Sequence, residues 1–172
     1  MATAKKAATK GLEALFLDGL KDIYYAEKKI LKALPKMAKG AESEDVSAAF
    51  EKHLQETEGQ VDRLEQIFEL LDKPARGKTC PAIDGILEEG SEILQEYKGD
   101  PGLDAGLVGA AQAVEHYEIA RYGTLIAWAE QLGKSDVVKL LNETLEEETA
   151  TDEALTSLGE SGVNERALQQ AA

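Results

Sequence analysis

Apolar residues recur early in the chain in alternating steps of four and three: Phe16, Leu20 and Ile23, then Ile30, Leu34 and Met37. That spacing keeps one side of an α-helix turned toward an interior. The series has one exception, because the step after Ile23 lands on Glu27 where an apolar residue is expected. A later series behaves in the same way, with Glu148 following Leu141 and Leu145 and preceding Asp152 and Leu155. An isolated ionised carboxylate in an apolar interior is costly unless a cation or several hydrogen-bond donors compensate it.

Periodicity and its breaks predict five helical segments, at about 11–39, 44–72, 82–97, 103–132 and 135–159. Pro35 removes an amide donor inside the first and predicts a kink or an early end there. Ser43, followed by Glu44 and Asp45, reads as the side-chain cap of the second, and Ser135 plays the same part in the last. The fourth segment is expected to turn Ala111, Val114, Glu118, Leu125 and Trp128 inward, with Glu115 and Tyr122 beside them. Between Lys73 and Gly106, Pro74, Gly77, Pro81, Gly99, Pro101 and Gly102 frame the short third segment. This stretch is too long for a tight turn, so it is expected to return the chain along the bundle. The result is an all-α four-helix bundle whose long crossover carries a short extra helix. Residues 1–10 are expected as a flexible basic tail, residues 11–160 as the bundle and residues 161–172 as a C-terminal tail.

The turns set the height of the acids. Glu27 and Glu56 lie equally far from the turn around Gly40–Ala41–Glu42, and Glu118 and Glu148 equally far from Gly133. In antiparallel hairpins each pair comes side by side. A short internal repeat supports this, since Gln55–Gln60 aligns with Glu147–Asp152, pairing Glu56 with Glu148 and Gln60 with Asp152.

Composition narrows the function classes. The 172 residues are 43% apolar but only 5% aromatic, which suits helices packed through aliphatic side chains rather than strands. A net charge of −14 argues against a phosphate-binding surface, so nucleic acid is not expected as a partner. Lys5, Lys6 and Lys10 are the exception, expected as a solvated tail that lacks the apolar run of a secretory signal. No stretch approaches about 20 apolar residues, so no membrane span is expected. The single Cys80 cannot form an internal disulfide, and a reducing cytoplasm fits best.

Four glutamates at one level suggest a metal. Carboxylates that bridge two cations, with imidazole completing the shell, commonly hold iron or manganese in helical bundles. The usual Glu-x-x-His spacing is not met, because Gly59 and Thr151 occupy the positions where histidines would fall. Glu27, Glu56, Glu118 and Glu148 are therefore expected as the ligands of two metal ions. Gln60, Asp152 and Glu115 are expected as secondary ligands or proton carriers, and His53, three residues before Glu56, as a candidate nitrogen ligand. His116 is expected to point away from the Glu118 face. Tyr24, Tyr25, Tyr117 and Tyr122 are expected to pack between helices with their hydroxyls at the rim, the alternative being a hydroxyl that hydrogen-bonds a metal ligand or donates an electron. The bland alternative is that the glutamates edge the apolar faces and reach into water.

The strings LFLDGLKDIYYAEKKILKALPKMA, HLQETEGQVDRLEQIFELL, AVEHYEIARYGTLIAWAEQLG and LLNETLEEETATDEAL resemble the YciE/YciF family of bacterial stress-associated, ferritin-like proteins, over about Leu12 to Gly159. The resemblance implies a ferritin-like bundle similar to rubrerythrin-type di-iron proteins, a homodimer, and Glu27, Glu56, Glu118 and Glu148 as ligands. The function expected is a di-metal carboxylate protein that reacts with peroxide or oxygen in stress protection, with ferroxidase-like or manganese-catalase-like chemistry. A metal-free helical stress or assembly protein and an iron-storage protein are the alternatives.

Overall fold

In the computed structural model, which describes residues 10–170, the chain is helical from Leu12 to Gln170 apart from its connections. The elements are α1 (Leu12–Gly40), α2 (Glu44–Leu70), α3 (Pro81–Glu96), α4 (Leu103–Gln131), α5 (Ser135–Leu158) and α6 (Asn164–Gln170). No strand occurs among the described residues. The four long helices form an all-α bundle, and α3 is the extra helix of the crossover.

α1 packs on α2 and α4, and α5 packs on the same two helices, so α1 lies diagonally opposite α5 and α2 diagonally opposite α4. α3 lies over the junction of α1 and α4. The strap before α3 crosses α1 closely. A Cβ on Gly77 would stand 3.0 Å from the Cβ of Tyr25, and the Lys78 amide donates to the Lys21 carbonyl.

α1 continues through Pro35 to Gly40, so the early end expected there does not occur. The helix starts also differ from expectation. Ser43 makes no side-chain cap; instead the Asp104 carboxylate accepts from the backbone amides of Glu42 and Ser43, tying the first turn to the start of α4. Lys134 rather than Ser135 occupies the cap position of α5. The expected C-terminal tail includes α6, reached through a wide helical turn over Gly159–Val163, and Val163 is buried. The expected basic tail lies outside the described residues except Lys10.

Each long helix buries a stripe with the four–three spacing. In α2 it runs Val46, Phe50, His53, Thr57, Gln60, Leu64 and Ile67. In α5 it runs Val137, Leu141, Thr144, Glu148, Thr151 and Leu155. In α4, Glu115, Glu118, Tyr122, Leu125 and Ala129 are buried, whereas Ala111 and Trp128 are only partly so. The inward face of α4 is therefore rotated from the expected one. Because α4 touches α1, α3 and α5, its apolar residues spread around much of its girth and blur the face that periodicity can define.

Candidate metal centre

The stripes meet at mid-bundle on polar residues. Glu27 of α1, Gln60 of α2, Glu118 of α4 and Glu148 of α5 are fully buried, and Glu115 of α4 and His53 of α2 are nearly so. The solvent-edge alternative is thus excluded for the three glutamates of α1, α4 and α5. One ligand atom from each of His53, Glu115, Glu118 and Glu148 lies within 4.8 Å of every other. His53 and Glu115 meet across the bundle diagonal, with Nε2 of the imidazole 3.2 Å from Oε1 of the carboxyl.

Glu27 adjoins this group. Its carboxyl is within hydrogen-bonding reach of Glu118 and accepts a hydrogen bond from the Tyr122 hydroxyl. Tyr122 is fully buried, so its hydroxyl is not at the rim as expected. Tyr24 donates to the exposed Glu65, and Tyr25 and Tyr117 donate to the partly buried Asp84 and Asp22. Glu115 and Glu148 form a second carboxyl pair within hydrogen-bonding reach.

Polar partners do not account for this cluster. Both oxygens of Glu118 and of Glu148, Oε2 of Glu27 and of Glu115, and both ring nitrogens of His53 are buried without an aligned hydrogen bond. Such atoms normally find partners, and leaving one unmatched costs about 1–3 kcal/mol. Among the described residues, no lysine or arginine forms an ion pair with Glu27, Glu115, Glu118 or Glu148. Arg63, a nearby cation, is instead bound to Glu147 and to the Thr144 hydroxyl, which lies 3.0 Å from it. Compensation must come from protons or from a bound cation.

Electrostatics follows from that burial. Loss of hydration, reinforced by the negative charge of Glu148, holds Glu27 and Glu118 well above the usual carboxylate range. Loss of hydration, reinforced by Glu115, does the same to Glu148, and burial pushes Glu115 up to about 8. His53 moves the other way, down to about 4, because burial and then the Lys52 charge disfavour the imidazolium. Its ring is therefore neutral at pH 7, the form that can donate a lone pair to a metal.

The sequence pattern of the domain of unknown function DUF892 matches residues 11–168. The chain belongs to the DUF892 family. YciF of Escherichia coli strain K12 is 45% identical over 163 residues, which is 94% of this chain and 98% of YciF. This relation bears out the resemblance to YciE/YciF. The crystal structure of YciF, described as a stress protein, superposes with a TM-score of 0.86, covering 91% of this chain and 99% of that one. YcfI of Rhodopseudomonas palustris is 49% identical, with a TM-score of 0.85 over 90% of this chain and 98% of its own. A Xanthomonas campestris protein at 23% identity and TM-score 0.72, covering 94% and 99%, shares the fold.

Against this DUF892 scaffold the expected residues sort by depth. Glu56 is at the edge: its side chain is 23% exposed, Lys52 Nζ lies 2.5 Å from Oε1, and the Thr151 hydroxyl donates to Oε2 across 3.3 Å. It remains close enough for its charge to raise Glu115 and Glu148. Asp152 sits beside it, 3.1 Å from Nε2 of the exposed His116, which points away from Glu118 as expected. Gln60 is buried, donating to Glu147 across 3.2 Å and leaving Oε1 without a partner. Glu115 and His53, expected in lesser roles, lie in the centre.

The four–three stepping that exposed Glu27 would have found them. Continued from Val46 and Phe50 it lands on His53 and passes over Glu56; in α5 it lands on Glu148 and then Thr151, not Asp152. In α4, Glu115, Glu118 and Tyr122 are three successive steps of it. On α2 the reversed His53-x-x-Glu56 stands where Glu-x-x-His was sought, and α4 contributes the spacing Glu115-x-x-Glu118.

The buried His/Glu cluster is compatible with a metal ion. No helix among the described residues is long and apolar enough to cross a membrane.

Proposed function

We propose that this protein is a di-metal carboxylate protein of the bundle interior, binding iron or manganese and reacting with dioxygen or peroxide in stress protection. The observation that carries the reading is the convergence of four buried ligand atoms, within 4.8 Å of one another and mostly without hydrogen-bond partners, from three helices. A neutral imidazole among carboxylates favours iron, manganese or zinc over calcium or magnesium, which prefer oxygen alone.

In this reading His53, Glu115, Glu118 and Glu148 hold one ion. Glu27, in reach of Glu118, and Glu56, at the solvent edge, extend the set to a second. A bound redox metal supplies one-electron chemistry. The residues of the chain do the rest: Tyr122 fixes Glu27, Gln60 keeps an oxygen free beside the site, and His116, paired with Asp152, supplies polar groups toward solvent. The apolar residues above and below exclude bulk water, which strengthens every electrostatic contact inside. The stress role is supported by the relation to YciF, and the homodimer implied by the family resemblance belongs to the same proposal.

Elemental analysis of protein purified from cells grown in iron and in manganese tests this directly, together with anomalous scattering at both edges. Retention of about two ions per chain, placed between His53 and Glu118, is expected for such a centre. Absence of any scatterer there from protein grown and refolded with either metal would sink the reading.

A further inference from the structure

We propose that the cavity beneath α3 is a binding site for dioxygen that delivers it to the His53–Glu115 side of the centre. The inference rests on the metal reading for its chemical consequence, but the site itself is defined by the fold. A cavity of about 30 Å³ lies where α1, α2, α3 and α4 meet. A water needs roughly 10–15 Å³ of such space, so a diatomic molecule fits. Protein interiors keep few voids, and a void that ends on unpaired ligands has a stronger claim to a role than one lost among leucines.

The walls choose the occupant. Ile30, Leu34, Phe50 and Val114 line the space, and among the described residues its only ionisable lining groups are His53 and Glu115. Both are more than nine-tenths buried, and the His53 nitrogens and Glu115 Oε2 lack aligned partners. Hydrogen peroxide carries two donors and several lone pairs that the aliphatic and aromatic walls cannot satisfy, leaving only His53 and Glu115 to pair them, whereas dioxygen loses almost nothing on leaving water. Apolar walls of this kind take up apolar atoms such as xenon.

Small residues create the space. Ala33 of α1 and Ala111 of α4 line it and are themselves only partly buried, so the cavity approaches the surface where α3 covers them. Gly90 of α3 holds that cover close, since a Cβ there would stand 2.8 Å from Cε of Met37.

Xenon-pressurised crystals of the metal-free protein test the site without any activity. Xenon density in the cavity is expected in the natural protein and is expected to disappear in Ala111→Leu; Ala33→Leu fills the same space from the opposite helix should the first variant fail to fold. In iron-loaded protein, either substitution is expected to slow oxidation of the bound Fe(II) by dissolved dioxygen several-fold. Metal content and the rate with added hydrogen peroxide are expected to stay unchanged. An empty cavity under xenon, or dioxygen and peroxide rates that fall together, would overturn the proposal. Xenon in the cavity of a protein that binds no metal would defeat the metal reading alone and leave an apolar gas site standing.

Discussion

The Tyr122 hydroxyl donates a hydrogen bond to Oε1 of Glu27, joining α4 to α1 at the centre of the bundle across 95 positions of sequence. Both groups are fully buried, and Glu27 keeps a second oxygen with no partner. The phenol thus orients the one central acid of α1. Tyr122→Phe is expected to lower stability by about 1–3 kcal/mol, the usual cost of orphaning a buried acceptor. In a domain of this size that is a fall of roughly 2–4 °C in Tm per kcal/mol. Loss of an outer hydrogen bond to a ligand typically weakens metal binding about 10- to 100-fold, which titration calorimetry would read. An unchanged Tm together with unchanged affinity would show that Glu27 is held by something else.

Metal-free protein should become less stable as pH rises above about 6.5. Glu115 is raised to about 8, and Glu27, Glu118 and Glu148 are raised well above the usual range, so the folded state binds more protons than the unfolded chain there. Stability then falls with pH, by about 1.4 kcal/mol per unit for each extra proton held. His53 acts oppositely, but only between about 4 and its unfolded value near 6.5, so it drops out above that. Urea titrations at pH 6.5 and pH 8 in the presence of a chelator measure this slope. A flat or rising profile would mean that the four carboxyls are not buried together.

Added metal should reverse that slope. Coordination requires deprotonated carboxyls, so affinity grows with pH as their protons become easier to remove. The rise in Tm on adding Mn(II) is therefore expected to be larger at pH 8 than at pH 6.5, and scanning calorimetry at fixed free metal measures it. Equal shifts at both pH values would point to binding at surface acids.

Glu118→Gln should trade binding for stability. The amide cannot ionise and can donate to Glu27, so the metal-free variant is expected to be more stable than the natural protein at pH 8 by about 1–3 kcal/mol. The same change removes a charged ligand from the central group and should abolish tight metal binding. Denaturant midpoints and a metal titration together read both effects, and a variant that is destabilised at pH 8 would contradict the proton-sharing account.

His53 and Glu56 offer a direct comparison of the two candidate ligands on α2. His53 belongs to the central group, whereas the Glu56 carboxylate is at the solvent edge and already bound to Lys52 and Thr151. His53→Ala is expected to weaken metal binding by a larger factor than Glu56→Ala, with the difference read in competition against a chromophoric chelator. The opposite order would move the centre toward the outer edge of α2.

Periodicity and turn spacing alone determined the five helices, the all-α bundle and the burial of Glu27, Glu118 and Glu148. Those features depend on neighbours three or four residues apart and on hairpin symmetry, both local in the chain. The same logic did not foresee that Glu56 lies at the edge, because height along a hairpin does not specify the angle at which a residue meets the axis. His53 and Glu56 lie three residues apart, and the stripe through Val46 and Phe50, packed against α1 and α5, takes the imidazole inward and leaves the carboxylate at the edge. Likewise Glu115 becomes central only because α4 is rotated by contacts with α3, α1 and α5 together. The sequence by itself determined that acids are buried and which positions share a stripe; the tertiary structure decided which of them meet, because helix rotation is set by summed side-chain packing from several partners.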